Sequence, residues 1–131
     1  MTRWVSDRMR HVAVRELGGG RVLLQARWCD RFACRLRGLT FRRALHPDEG
    51  LVLVESRESR NGAAIHMLFV FFPIGVLWAD SNGQVVDLQT AQPFRPLYRP
   101  RSPARYIVEG PIHLLEKIQI GDRISFEPIA G

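Results

Sequence analysis

Short β-prone runs, each closed by a glycine or proline signal, constrain the fold of this chain more than any other feature of its sequence. The first two runs, 10–16 and 21–27, flank Gly18-Gly19-Gly20. This pattern predicts a hairpin, because glycine adopts the positive φ angles that tight turns require. Further runs predict strands over 51–55, 64–71, 74–80, 84–88, 105–109 and 123–127. Many short strands of this kind are typical of mainly β, antiparallel domains.

Two other segments have helical character, and a third excludes regular structure. Trp28, Phe32 and Leu36 recur on one face of 28–37, which predicts a short helix. Proline at the start of 111–118 predicts a second one. Four prolines within 93–103 exclude a helix and a central strand, so this segment is predicted to be an extended surface loop. The predicted fold is a compact antiparallel β-sandwich or barrel of about eight short strands and two short helices, in a single domain over 1–131.

Charge is unevenly distributed along the chain, whose formal net charge is +6. Residues 1–43 hold 11 basic and 3 acidic side chains, a balance that suits a nucleic-acid or anionic-membrane surface. All but one of the basic residues are arginine, and a GC-rich genome produces the same skew without any function. No nucleic-acid recognition motif accompanies the charge, so nucleic-acid binding is kept as an alternative.

Cys29 and Cys34 are the two cysteines of the chain. On a helix they point about 140° apart, which disfavours a disulfide between them. We therefore expect reduced thiols in a cytoplasmic protein, at least one of them in the core. The apolar run 63–79 contains His66, Pro73 and Gly75. It is too short and too interrupted for a membrane span, and two buried strands are predicted instead.

Several segments carry a family resemblance when they are taken together and in order. They are Arg35-Leu36-Arg37-Gly38-Leu39, Asp48-Glu49-Gly50-Leu51, Ile65-His66 leading to Phe72-Pro73-Ile74, Asp80-Ser81-Asn82-Gly83-Gln84-Val85-Val86, Ala104-Arg105-Tyr106-Ile107-Val108-Glu109 and Gly121-Asp122-Arg123. Over residues 20–127 the chain thus resembles the domain of unknown function 192 family, also called uncharacterised protein family 0127. The resemblance implies a small, mainly β domain of bacteria and archaea with no established biochemical activity, and we expect a bacterial source.

The chain departs from the family's pattern inside the apolar block. Members commonly carry a polar or charged residue there and an aspartate just after the Pro-Ile step. Here the block reads Met67-Leu68-Phe69-Val70-Phe71, and Gly75 occupies the position of the aspartate. A role that depends on that carboxylate is therefore not expected in this protein.

His66 is a candidate functional residue because it is a lone titratable group in a strongly apolar predicted strand. Burial favours the neutral ring, which would serve as a base or ligand beside a carboxylate such as Asp80 or Glu49. The alternative is a core histidine hydrogen-bonded to the backbone. Asp48, Asp87 and Asp122 are further candidate carboxylates for a metal or an acid–base pair. The alternative is local hydrogen bonding, because each lies at a predicted turn.

Arginines form two further candidate sites. Arg37, with Arg35 and the pair Arg42-Arg43, would grip a phosphate or carboxylate, or else Arg37 pairs internally with Asp48 or Glu49. On the proline-rich loop, basic and aromatic side chains suit an acidic partner or single-stranded nucleic acid. The alternative is a solvated linker along the sheet. The candidates on this loop are Arg95, Tyr98, Arg99 and Arg101.

No serine–histidine–aspartate order, phosphate loop, HExxH motif or zinc-ligand spacing is present, and no metal or cofactor is expected. The leading hypothesis is a non-catalytic binding or accessory domain for an anionic small molecule or a protein partner. Its binding face would include Arg37, His66 and the segment 93–105. The alternatives are a hydrolase-like or metal-dependent enzyme centred on His66 with a carboxylate, and nucleic-acid binding whose affinity falls steeply with salt.

Overall fold

Seven strands form one sheet in the computed structural model, which describes residues 11–30 and 49–129. The strands are β1 (His11–Glu16), β2 (Val22–Cys29), β3 (Glu49–Ser59), β4 (Ile74–Ala79), β5 (Val85–Ala91), β6 (Ala104–Gly110) and β7 (Ile124–Pro128). Their order across the sheet is β5-β4-β6-β3-β2-β1-β7. The one helical segment of the described residues is a 3₁₀ helix, Ile112–Glu116.

Neighbouring strands are antiparallel except for β2 and β3, which are parallel. A parallel pair requires a crossover rather than a tight turn, and 19 residues separate the two strands in the sequence. The pairs β1–β2 and β4–β5 are hairpins whose turns contain Gly20 at φ 74° and Gly83 at φ 81°. Both hairpins predicted from glycine signals are confirmed.

The sheet curls until its two edge strands meet at one corner. Gln84 and Arg123 form a β-bridge there. The N–H of Val85 donates to the carbonyl of Asp122 at 2.8 Å, and the N–H of Ile124 donates to that of Gly83 at 2.9 Å. The result is a curled half-barrel. The prediction of a mainly β fold is confirmed, whereas the sandwich is wrong for the described residues, whose strands belong to one sheet.

The two faces of the sheet bury separate cores. The concave core receives side chains from all seven strands, and Leu114 of the 3₁₀ helix packs into it. The second core lies on the opposite face, under the segments 60–73 and 92–103, and includes Trp78 and Ile107. Along β3, Val52 and Val54 join the concave core, whereas Leu51 and Leu53 join the second. Strands buried on both faces need nearly continuous apolar runs, as found here.

The segment predicted as a strand over 64–71 is a loop. Ile65 makes an isolated bridge with Tyr98, and Phe69 has a φ of 61°, in the left-handed region that a regular strand excludes. The residues of this apolar run do not form a strand. Some of them, such as Ile65 and Met67, are buried in the second core, and others, such as Leu68 and Phe71, are exposed apolar residues on the surface. This accounts for seven strands in the described residues where about eight were expected.

Both helix predictions need correction. Trp28 and Cys29, at the start of the helix predicted over 28–37, belong to β2 and pair with Val52 and Leu53 of β3. The rest of that prediction lies outside the described residues. The helix predicted over 111–118 is the shorter 3₁₀ helix, which begins after Pro111.

Cys29 ends β2, is buried, and is disulfide-bonded. The expectation of a reduced thiol at this position is therefore wrong. It depended on placing both cysteines on one helix, and residue 29 lies on a strand, where the helical angle does not apply. Cys34, the other cysteine of the sequence, lies outside the described residues. No helix among those residues is long and apolar enough to cross a membrane.

Candidate functional site

Two loops lie side by side over the second core and are joined by backbone hydrogen bonds. The first, 60–73, connects β3 to β4, and the second, 92–103, connects β5 to β6. Ile65 and Tyr98 exchange two hydrogen bonds of 2.9 Å. The N–H of Met67 donates to the carbonyl of Arg95 at 2.8 Å, and the N–H of Phe94 donates to that of Met67 at 2.7 Å. The two loops therefore form one structural unit.

Buried polar contacts attach this unit to the sheet. The indole N–H of Trp78 donates to the carbonyl of Ala63 at 2.8 Å. On the other loop, the carboxylate of Asp87 accepts the backbone N–H of Arg101 at 3.0 Å and lies 3.3 Å from its Nε. The side chain of Gln89 connects the same carboxylate to the carbonyl of Arg99. Asp87, considered above as an acid–base or metal carboxylate, is thus an anchor for the loop.

The loop residues singled out from the sequence lie together on this unit. Tyr98 is buried, and its hydroxyl accepts the N–H of Gln92 at 2.7 Å. The guanidinium of Arg95 lies over the Tyr98 ring, 5.5 Å from its centroid. Arg99 donates to Oδ1 of Asn61 at 3.0 Å, across to the first loop. These contacts match the linker alternative in part, because they hold the 92–103 loop in place against the first loop, yet both guanidinium groups belong to exposed residues.

His66 occupies the same unit but is exposed, so its assignment to a buried strand is wrong. Its Nδ1 accepts the N–H of Leu68 at 3.2 Å, and within the described residues no carboxylate lies within ion-pair distance of the ring. The reason is local: residues 64–71 form a loop that places Ile65, Met67 and Val70 inward, and residue 66 lies on the outside.

Three further candidate carboxylates of the sequence lie at turns or at the start of a strand. Asp80 accepts the N–H groups of Asn82 and Gln84 at 2.9 and 3.0 Å and thereby holds the β4–β5 turn. Asp122 accepts the N–H of Gln119 at 2.9 Å, as expected of a turn residue. Glu49 begins β3. No group of three or more histidine, cysteine or acidic residues in the described part of the chain is placed to hold a metal ion. Arg37 and Asp48 lie outside the described residues.

An exposed apolar cluster, which the sequence analysis missed, covers the outer side of the two loops. Its five side chains are between 44% and 57% exposed, and we call them the aromatic patch: Leu68, Phe69, Phe71, Phe94 and Leu97. The rings of Phe71 and Phe94 contact each other edge to face, with centroids 5.5 Å apart. The sequence of 64–71 did not indicate this exposed cluster, because no polar residue apart from His66 marks which of its positions face solvent.

Two members of the patch have unusual backbone conformations. Phe69 has a φ of 61° and Phe94 a φ of 66°, values that are rare for bulky side chains and cost about 1–3 kcal/mol each. The carbonyl of Met67 accepts hydrogen bonds from both Val70 and Phe94 and so fixes the two turns at one point. Strained conformations of this kind are concentrated at functional sites.

The two loops that carry the patch contain charged residues of one sign only. No aspartate or glutamate occurs in 60–79 or in 88–103, whereas Arg60, Arg95, Arg99 and Arg101 lie in these segments. Arg60 donates to the carbonyl of Pro100 at 2.9 Å, and Arg101 is paired with Asp87. Arg95 and Arg99 have no carboxylate within ion-pair distance among the described residues. The surface is therefore apolar and positively charged.

Glu109 is a second feature that the sequence analysis missed. It lies on β6 between Leu51 of β3 and Val76 of β4 and is 5% exposed. Burial among these apolar neighbours raises the pKa of its carboxyl group to about 7. A glutamate within the otherwise apolar run 106–110 was the available signal.

Gly75, where the family pattern commonly has an aspartate, is a point of close packing. A Cβ added at this position would lie 2.9 Å from the carbonyl oxygen of Pro111 and 3.1 Å from Cγ of Leu115. Glycine therefore allows the 3₁₀ helix to approach β4 closely. Gly75 itself supplies no carboxylate at this position.

Fold and sequence together define a small, mainly β domain of an uncharacterised family. The DUF192 family model, described as an uncharacterized ACR, matches residues 13–126. A UPF0127 protein of Thermococcus kodakarensis is 42% identical over 101 residues, which cover 76% of this chain and 62% of that protein. A UPF0127 protein of Pyrococcus furiosus is 38% identical over 110 residues, which cover 82% and 91% of the two chains. The chain belongs to the DUF192 family, and the resemblance stated above is confirmed.

Solved structures agree with this fold. A candidate transcription regulator from Sinorhizobium meliloti is similar with a TM-score of 0.79 at 22% identity, over 90% of this chain and 95% of its own. A protein of unknown function from Novosphingobium aromaticivorans gives 0.76 at 20% identity, over 88% and 83%. At this identity the likeness establishes the fold alone. The curated relatives named above are archaeal and uncharacterised, so they neither support the expected bacterial source nor supply a function.

Proposed function

We propose that this protein is a non-catalytic binding domain whose contact surface is the aromatic patch together with Arg95 and Arg99. The observation that carries the proposal is the exposure of five large apolar side chains on two loops that are themselves firmly attached. Contiguous exposed apolar surface marks interaction sites in folded proteins. Aromatic residues and arginine are also the types that contribute most to binding at interfaces.

The way the loops are held supports a binding role over a connecting role. A connection needs no fixed outer surface, whereas a binding surface gains affinity when its side chains are ordered before the partner arrives. The carbonyl of Met67 fixes Phe94 from one side, and the contact between Phe71 and Phe94 orders the rings. The strain at Phe94 is compensated by the rest of the fold and is consistent with such ordering.

The arginines favour a partner that carries negative charge, as the sequence suggested. Arg95 and Arg99 are close in sequence to Phe94 and Leu97 of the patch, and no carboxylate of the described residues lies within ion-pair distance of them. An anionic group near them would therefore find little competition. The enzyme alternative centred on His66 has less support, because this ring is exposed and its proposed partner Asp80 is occupied by turn hydrogen bonds. Nucleic-acid binding remains a second prediction, supported by the net charge alone.

The proposal treats residues 1–131 as a single domain with a family-like core over about 20–127. It is not tied to the cytoplasm. That location was inferred from reduced thiols, and Cys29 is disulfide-bonded. Disulfides persist in oxidising compartments and also inside hyperthermophilic archaea, so the bond fits either setting.

Site-specific photocrosslinking tests the proposal. A photoreactive phenylalanine analogue is placed at position 71 or 94 in cells that express the protein, and the adducts are compared with those from position 17. Leu17 is a matched control, because it is 50% exposed and lies at the β1–β2 turn, outside the patch. We expect adducts, to a protein or to lipid, at 71 and 94 and none at 17. The same adducts at all three positions, or none at any, would contradict a binding role for the patch.

A further inference from the structure

We propose that the partner of the aromatic patch is the surface of an anionic lipid bilayer, into which the tips of the two loops insert their apolar side chains. This inference rests on the binding function proposed above and names the class of surface that is bound. Three properties of the loops carry it: the state of their backbone polar groups, the chemistry of their exposed side chains, and the sign of the charge beside them.

The backbone of the loops is already hydrogen-bonded where they meet. Ile65 and Tyr98 each use both their N–H and carbonyl groups, and the carbonyl of Met67 accepts two hydrogen bonds. The N–H of Met67 and the carbonyl of Arg95 pair with each other. Entry into the acyl region of a bilayer is costly for polar groups that lose water without replacement. A loop pair that satisfies these groups internally avoids that cost.

The exposed side chains of the patch are phenylalanine and leucine, which donate and accept no conventional hydrogen bonds. A typical protein interface makes about one hydrogen bond per 100–200 Å², and this surface offers few groups for them apart from the arginines. The boundary between lipid headgroups and acyl chains requires no such hydrogen bonds. It accepts apolar side chains to a depth of about 5–10 Å without any requirement for directional partners. The patch is therefore better matched to a bilayer than to a folded partner.

Charge complementarity specifies an anionic bilayer. Arg95 and Arg99 lie beside the patch, and the segments 60–79 and 88–103 contain no carboxylate that would repel lipid phosphates. The long arginine side chain keeps its guanidinium in the headgroup layer while its stem follows the apolar surface. Basic residues close to an anionic leaflet strengthen attachment, and they do so less at high salt. The net charge of +6 acts in the same direction.

Vesicle cosedimentation tests the inference. The full chain is mixed with vesicles of phosphatidylcholine alone, or of phosphatidylcholine with phosphatidylglycerol, and the bound fraction is measured against lipid concentration. We expect binding to the mixed vesicles and at least about tenfold weaker binding to phosphatidylcholine alone.

Paired variants separate insertion from simple charge attraction. We expect Phe71→Ser with Phe94→Ser to weaken binding to the mixed vesicles by at least about tenfold, and Arg95→Gln with Arg99→Gln to weaken it by a similar factor. Phe71→Trp should retain binding, and its fluorescence should shift to the blue on mixed vesicles. Leu17→Ser and Arg57→Gln are the matched controls, because both residues are exposed and lie outside the two loops, and neither should change binding.

Two results would overturn the inference. One is absence of binding to the mixed vesicles, and the other is binding that the two phenylalanine substitutions leave unchanged, which would place the contact elsewhere on this basic chain. Its failure is distinguishable from failure of the binding function. If a protein adduct forms at positions 71 and 94 and no vesicle binding is found, the binding function stands. The partner would then be a protein with an acidic surface and not a bilayer. Loss of both results would remove both proposals.

Discussion

The concave core and the second core use the same kind of strand but are closed in different ways. The concave core is closed by the curl of the sheet itself, since all seven strands contribute to it and the edge strands meet at Gln84 and Arg123. The second core is closed by two loops, which place Ile65, Met67 and Tyr98 inward and the aromatic patch outward. A face closed by loops has an outer surface that is free to vary, and function is commonly located on such loops.

The first prediction tests whether the second core contributes as much to the free energy of unfolding as the concave core does. Leu77 and Trp78 are neighbours on β4, both fully buried, and they point to opposite cores. We expect Leu77→Ala to lower the free energy of unfolding by about 2–5 kcal/mol and Trp78→Ala by about 3–5 kcal/mol. Trp78→Ala also removes the hydrogen bond to Ala63. Urea unfolding measures both. A loss below about 1 kcal/mol for Trp78→Ala would show that the loops do not close a core.

The second prediction concerns Glu109, the one glutamate buried in the described part of the second core. Its pKa is raised from 4.5 to about 7 in the folded protein, so the folded state holds the proton more tightly than the unfolded state. The contribution of this group to the free energy of unfolding is fully present below about pH 4.5. It is lost as the pH rises through 7, which lowers the free energy of unfolding by on the order of 3 kcal/mol. In Glu109→Gln this decline should disappear. An unchanged pH profile of unfolding in the variant would contradict the assignment.

The third prediction concerns the attachment of the 92–103 loop to the sheet. Replacing Asp87 by alanine removes the acceptor for Arg101 and Gln89. We expect a loss of about 2 kcal/mol in the free energy of unfolding, together with faster amide hydrogen exchange at Arg101. The matched control is Asp122→Ala, which removes a single exposed turn contact and should cost about 1 kcal/mol or less. Equal effects of the two substitutions would mean that Asp87 does not anchor the loop.

Local signals in the sequence were sufficient for most of the sheet. Glycine at the β1–β2 and β4–β5 turns and the apolar runs around them predicted both hairpins, because turn conformation and side-chain alternation are local properties. The run 64–71 failed for a different reason. Its side chains are divided between a core and a surface by hydrogen bonds to residues about 30 positions away, such as Tyr98, and no local pattern encodes those contacts.

The same distinction applies to the candidate site. Arg95, Tyr98, Arg99 and Arg101 were identified because proline and arginine alternate within one short segment. Their position beside the loop that carries His66 and Phe71 depends on the pairing of two loops, which the sequence did not predict. Asp87 was noticed as a carboxylate, but its role as an anchor depends on the course of the loop past β5. Residue types were thus available from the sequence, whereas their neighbours required the fold.

The central claim is that the outer surface of the loop-covered face is held for contact with a partner and is not needed to stabilise the fold. The most direct test is the free energy of unfolding of the Phe71→Ser, Phe94→Ser variant, measured in urea beside the unmodified protein. Both side chains are about half exposed, so we predict a decrease of about 1 kcal/mol or less, with an unchanged dependence on urea concentration. A decrease of about 3 kcal/mol or more, as expected for core residues, would show that the patch stabilises the fold and would contradict the account.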